Sequence, residues 1–175
     1  GACGDDLYRV NCGGGRYLDS EGYAWEEDRA WHPGGWGWKS WGMSFADVED
    51  EIGSMARVYD EIENTADPEL FQTFRYGRDQ LEYNFSVKDG SYLLNLYFAE
   101  PWYGNAGENA AGWRQFDVAV NGKTVLPKMD IWTEAGGTRR AIRKQIPVQA
   151  ENGAIRISFP YVYSNQVILN GLRIR

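Results

Sequence analysis

The sequence predicts an all-β domain, an antiparallel β-sandwich with at most short helical turns. Three observations carry that reading. Apolar and polar residues alternate strictly over Gln80–Val87, so that Leu81, Tyr83, Phe85 and Val87 share one face, as in a half-buried strand. Asp89-Gly90, Asn121-Gly122 and Asn152-Gly153 are the dipeptides that favour two-residue hairpins. Helical spacing is almost absent, and many short strands between turn signals make a sandwich rather than a βαβ layer. At 175 residues the chain fits one domain, residues 1–175, large enough to bury a core without staples or metals.

The elements follow in order. Leu7–Cys12 alternates and reads as a first strand, with a tight turn at Gly13-Gly14-Gly15. No Lys-Ser/Thr and no helix follow those glycines, so they are not a phosphate cradle. Asp19–Gly22 is a second turn and Tyr23–Trp25 a short extended piece. From Trp31 to Met43 four tryptophans stand among small residues with neither strand nor helix period. That predicts an ordered surface loop whose indoles either cover the core or offer flat faces to a ligand. Phe45, Val48 and Ile52 allow a short helix over Asp47–Ile52, and Ser54–Ile62 reads as an edge strand. Asp67 and Pro68 are placed as N-cap and first residue of a helical turn over Pro68–Phe71.

In the strand opened by Ser91, Leu94, Leu96 and Phe98 share one face and Leu93, Asn95 and Tyr97 the other. Pro101 lacks the N–H that a ladder needs, so pairing should stop at Glu100. Trp102 and Tyr103 stand directly beyond it, ahead of the small-residue loop Gly104–Gly112. Trp113–Asn121, Lys123–Leu126, Arg140–Ala150 and Ala154–Phe159 are further strands. Gln166–Ile174 closes the chain, with Val167 and Leu169 inward and Leu172 and Ile174 joining them if Asn170-Gly171 shifts the register. Trp25, Trp31, Trp36 and Trp38 are assigned to packing, Trp113 and Trp132 to the core.

Composition narrows the function. Hydrophobic residues at 43% and charged ones at 25% are ordinary, but 8 Trp and 11 Tyr are an excess that suits recognition surfaces. The formal charge of −7 and the lack of a basic, aromatic-interleaved patch argue against nucleic acid and anionic membranes as partners. Arg139, Arg140, Arg143 and Lys144 read as the solvated face of a strand. No apolar run approaches the ~18 residues that a spanning helix needs. Cys3 and Cys12 either bridge the N-terminal arm to the first strand or remain free. With His32 as the one histidine, a usual zinc site is excluded. Calcium held by carboxylates stays open, although no EF-hand loop exists. No cofactor is expected.

Five motifs in one order carry a resemblance: NCGGGRYLDSEGYAWEEDR, LFQTFRYG, LYFAEPWYG, FDVAVNG and DIWTEAGG. Together, from about Tyr8 to Arg175, they resemble a malectin-like domain, most of all the version attached to bacterial family 2 glycoside hydrolases such as β-galactosidase-like enzymes. The resemblance implies a jelly-roll-like β-sandwich of the galactose-binding type that binds carbohydrate without catalysis. It also implies a covalently linked glycosidase domain and an extracytoplasmic location, periplasmic or secreted in a bacterium. In the family the sugar sits between loop aromatics near an acid. Trp41, in Trp41-Gly42-Met43, takes the first aromatic place and Tyr76, in Arg75-Tyr76, the second. Trp102 and Tyr103 take the adjacent pair after Phe98-Ala99-Glu100. Tyr163-Ser164-Asn165 stands where the family has Tyr-Asp-Asn, so Ser164 replaces the acid and the diglucose preference of animal malectin does not carry over. Ser164 can still hydrogen-bond a hydroxyl, and Asn165 can both donate and accept.

The chemistry agrees without the family. A pyranose has an apolar C–H face for indole or phenol rings and a hydroxyl rim for Ser, Asn and backbone groups. If sugar stacking resembles base stacking, each platform is worth roughly 1–3 kcal/mol, and a few give millimolar to micromolar binding. The alternative is a structural accessory domain whose aromatic rim, Trp102 and Tyr103 included, packs on a catalytic domain. A free-standing hydrolase would need two carboxyl groups about 5–10 Å apart, and Glu100, Asp117 and Asp130 are the candidates. Asp117 falls within a strand and Glu100 where the family keeps a structural acid, so no catalytic residue is assigned.

Overall fold

The computed structural model describes residues 6–40, 54–78 and 80–175. Trp41, Met43, the short helix over Asp47–Ile52 and Cys3 lie outside the described residues. The first sheet runs in the order β11 (Ile142–Ala150), β8 (Gly90–Phe98), β15 (Gly171–Ile174), β1 (Tyr8–Asn11), β3 (Ala24–Glu27), β2 (Tyr17–Leu18). The second runs β10 (Lys123–Met129), β9 (Gln115–Val120), β12 (Ala154–Ser158), β7 (Glu82–Ser86), β4 (Trp36–Lys39), with β13 (Val162–Ser164) paired to β9. A third joins β14 (Val167–Leu169), β6 (Thr73–Gly77) and β5 (Met55–Arg57). Every ladder is antiparallel except β1 with β3. No helix among the described residues is long and apolar enough to cross a membrane.

The two-residue period builds the core. Leu94, Leu96 and Phe98 of β8, with Leu172 and Ile174 of β15, turn inward from the first sheet. Phe116 and Val118 of β9, Ile155 and Ile157 of β12, and Tyr83 and Phe85 of β7 meet them from the second. Phe98 and Phe116 touch across the layer with ring centroids 6.1 Å apart. This is the expected jelly-roll-like β-sandwich. A smaller cluster of Trp25, Ile62, Leu70, Phe71, Ala99 and Ala141 covers the other side of the first sheet.

The chain departs from the sequence reading at identifiable places. The aromatic loop is interrupted by β4, where Trp36 and Trp38 are buried and pair with Phe85 and Tyr83. Gly37 permits this, because its Cα lies against the Arg29 carbonyl at φ +151°, where a Cβ would sit 2.4 Å from the oxygen. One closing strand becomes two, β14 and β15, in different sheets, with Asn170 at the crossing. Asn170 is fully buried; its amide donates to the Phe71 and Thr73 carbonyls at 3.0 and 2.9 Å and its oxygen accepts from Ala99 N at 2.9 Å. Val167, Leu169, Leu172 and Ile174 are all buried, by this change of sheet rather than by a slip within one strand.

The Pro68–Phe71 turn forms as a 3-10 helix, but the Asp67 carboxylate does not cap it. It accepts from the Tyr17 hydroxyl and from Ser20 N and Oγ instead, at 2.7–2.9 Å. β8 stops at Phe98, two residues before the expected end at Glu100. Trp132 lies on a helix, α1 (Ile131–Ala135), capped by the Asp130 side chain and closed by Gly136 in the left-handed region. Cys12 is a free, buried thiol.

A rim of aromatics on a buried ion pair

Alternation along β6 separates a structural arginine from a surface tyrosine. Arg75 is buried, 2.7 Å from the Asp28 carboxylate, with its guanidinium 3.9 Å from the Trp38 ring centroid. Burial pushes the Asp28 carboxyl up, although Arg75 and the Gly13 N–H oppose it. Phe74 and Tyr76 take the other face. Phe74 is wholly buried and touches two rings edge-on, Tyr76 at 6.4 Å and Trp102 at 5.4 Å. Tyr76 is opposite Ile168 in the β6–β14 ladder, which brings it near the loop of Ser164 and Asn165 that enters β14.

Trp102 and Tyr103 are held by the segment around them. Glu100, fully buried, accepts from Arg114 Nε at 2.7 Å and Nη2 at 3.3 Å, and from Trp102 N at 3.2 Å. The second donor fork of Arg114 reaches the Gln166 carbonyl at 2.6 Å, and its guanidinium lies 4.8 Å from the Tyr103 ring centroid. The Tyr103 carbonyl accepts from Thr138 Oγ1 at 2.5 Å, which in turn accepts from Trp132 Nε1 at 3.1 Å. Gly104 follows at φ +84°, where a Cβ would lie 2.4 Å from that indole nitrogen. Such a loop is held in one conformation by its own contacts.

Trp113 joins the rim, contrary to its assignment to the core. It is 42% exposed, much as Trp102 is at 44%, and its ring meets Tyr103 edge-on at 5.9 Å. The reason is that β9 begins at Gln115, so Trp113 still belongs to the loop. That loop is pinned by Gly112 N donating to Asp130 at 2.7 Å. Ser164 Oγ donates to the Gly112 carbonyl at 2.6 Å and Asn165 Nδ2 to the Trp113 carbonyl.

Tyr76, Trp102, Tyr103, Ser164 and Asn165 are therefore gathered at one end of the sandwich, with Trp113 added; Trp41 is outside the described residues. The three carboxylates considered for hydrolysis all have structural partners. Glu100 holds Arg114, Asp117 accepts from Lys128 N at 2.8 Å, and Asp130 caps α1. Among the described residues no group of three or more His, Cys, Asp or Glu could hold a metal ion.

The malectin domain model matches residues 6–173. Malectin-A of Xenopus laevis is 29% identical over 156 residues, 86% of this chain and 48% of that protein. A probable LRR receptor-like serine/threonine-protein kinase of Arabidopsis thaliana is 29% identical over 154 residues, 83% of this chain and 15% of that protein. The chain thus spans about half or less of these curated relatives. Among solved structures, a Bacteroides uniformis beta-glucuronidase aligns with a TM-score of 0.77 at 27% identity, over 96% of this chain and 18% of that one. The ANX2 ectodomain from Arabidopsis thaliana, at 19% identity and a TM-score of 0.71, shares the fold over 97% of this chain and 49% of its own. With nearly its whole length matched by the family model, the chain belongs to the malectin domain family of carbohydrate-binding, non-catalytic domains.

Proposed function

We propose that this domain binds a glycan by stacking sugar faces on Trp102, Tyr103 and Trp113, with Tyr76, Ser164 and Asn165 alongside, and that it serves an attached glycoside hydrolase outside the cytoplasm. The observation that carries the reading is an aromatic rim fixed by a buried ion pair. Trp102 and Trp113 remain more than two-fifths exposed although Trp102 N and the carbonyls of Tyr103 and Gly112 beside them are hydrogen-bonded. Exposed apolar surface held this firmly suits a ligand with one apolar face and a hydroxyl edge. The likeness to a beta-glucuronidase of which the matched part is 18% supports a role beside an enzyme. The structural commitments of Glu100, Asp117 and Asp130 support binding without hydrolysis.

The test is titration of the domain against plant and mucin-type oligosaccharides by calorimetry. Binding in the millimolar to micromolar range is expected. Trp102→Ala should weaken it by about tenfold or more, the loss of one stacking platform, with the thermal transition retained. Lack of binding by every sugar at millimolar concentration would reject this reading in favour of a rim packed on a catalytic domain.

A further inference from the structure

A second aromatic pair lies next to the rim, and glycan stacking on Trp102, Tyr103 and Trp113 gives it no role. In β13, Val162 turns toward the core, so Tyr161 and Tyr163 on either side of it turn outward. They are 59% and 41% exposed, with ring centroids 4.6 Å apart and planes at 58°. Single exposed aromatics are unremarkable on a protein surface, but two adjoining phenols form a patch.

The position of this pair relative to the rim is fixed by hydrogen bonds. Ser164, next to Tyr163, donates to the carbonyl of Gly112, next to Trp113, at 2.6 Å, and Asn165 donates to Trp113 itself. Ser164 also faces Gln115 in the β13–β9 ladder. Tyr163 therefore begins about one strand spacing, ~4.8 Å, from the segment that carries Trp113. That step is of the order of one sugar ring. The surroundings are polar: the Lys128 ammonium is 5.6 Å from the Tyr163 ring centroid, and Asp117 N donates to the Tyr161 carbonyl at 2.8 Å. Among the described residues the exposed aliphatics are Leu7, which precedes β1, and Leu18, Met55 and Leu93, which belong to β2, β5 and β8. Aromatic faces edged by charged and hydrogen-bonding groups, without an aliphatic centre, fit a hydroxyl-bearing chain better than a protein interface.

We propose that Tyr161 and Tyr163 form a second subsite, continuous with the Trp102–Trp113 rim, that takes further units of the same glycan. The ligand class is then an extended oligosaccharide or polysaccharide rather than a disaccharide. This rests on the glycan-binding reading of the rim. Calorimetry with di- to hexasaccharides of β-1,4-glucan, β-1,4-xylan and β-1,4-galactan tests it on the parent chain and on Tyr161→Ala/Tyr163→Ala. The hexasaccharide should bind about tenfold more tightly than the disaccharide, an advantage the double variant erases. Tyr161→Phe/Tyr163→Phe, which keeps both ring faces, should preserve it. Equal affinity for both lengths, or an advantage that survives the alanine variant, overturns the second subsite and leaves the rim standing. If no sugar of any length binds, the rim and the subsite fall together and the tyrosines are assigned to a protein contact.

Discussion

Removing the cation from the Glu100–Arg114 pair should cost the domain a large part of its stability. In Arg114→Met the Glu100 carboxylate keeps a single donor among the described residues, Trp102 N at 3.2 Å, in a site with no exposure. Breaking a buried pair in this way costs about 3–5 kcal/mol, because the remaining charge is neither solvated nor matched. A domain with a net stability of about 5–15 kcal/mol should then unfold at a urea concentration lower by about 1–2 M. Tryptophan fluorescence against urea reads the shift. Glu100→Leu should be similarly costly, since among the described residues it leaves the Arg114 guanidinium with the Gln166 carbonyl at 2.6 Å and the Tyr103 ring. Combined, Glu100→Leu and Arg114→Met replace two buried charges with apolar groups, so the double variant should recover about 2–3 kcal/mol relative to the sum of the singles. It should nevertheless bind glycan less tightly than the parent, because Trp102 N, Tyr103 and Gln166 have lost the group that joins them. Single variants within about 1 kcal/mol of the parent, with additive effects, would refute this account of the pair.

Asn170→Ala strands two buried carbonyls and one buried N–H at the crossing between sheets; at about 1–3 kcal/mol for each unsatisfied group the total should exceed 3 kcal/mol in chemical unfolding. A loss below 1 kcal/mol would mean that the crossing is held by its apolar neighbours alone. Burial raises the Asp19 carboxyl, but hydrogen bonds from the Trp25 indole and from Tyr23 and Glu21 N–H outweigh it, and the net shift is downward. A depressed folded value means stability that is present above the unfolded value of about 3.9 and is lost as pH falls through the folded one. The stability difference between parent and Asp19→Asn should therefore shrink below pH ~4, which unfolding curves at pH 6 and pH 3 would check; a constant difference contradicts the assignment.

The sandwich was legible because its strands alternate and its hairpins use Asn-Gly and Asp-Gly. Trp36–Lys39 escaped notice because Trp-Gly-Trp is too short to display a period, and its pairing depends on a glycine contact with Arg29 that is remote from any local pattern. The exchange of sheets at Asn170 was read as a register shift, since its cause lies with Ala99, Phe71 and Thr73, far away along the chain. Trp102 and Tyr103 stand out in the sequence as aromatics just past Pro101, whereas Tyr76, Ser164 and Asn165 rest on the family resemblance; Phe74, the β6–β14 ladder and the Ser164–Gly112 bond explain their proximity. Trp113 was missed although a signal existed: it ends a run of small residues, where a strand has not yet begun. The Arg114 beneath it had no sequence signal, because the pairing of a loop arginine with a distant buried carboxylate leaves no periodicity.

The antiparallel ladder between β1 and β15 sets Tyr8 opposite Ile174. Opposed residues of such a ladder are about 4.5–5.5 Å apart, so the start of β1 and the end of β15 lie almost at one point. The same arrangement fixes the response to tension. A pull at the two ends loads the Tyr8–Ile174 corner and opens the ladder one hydrogen bond after another, as a zip opens, instead of shearing all of them together. Under such a load the sandwich would yield from its first and last strands while the aromatic rim, beyond the Phe98 end of β8, remained intact.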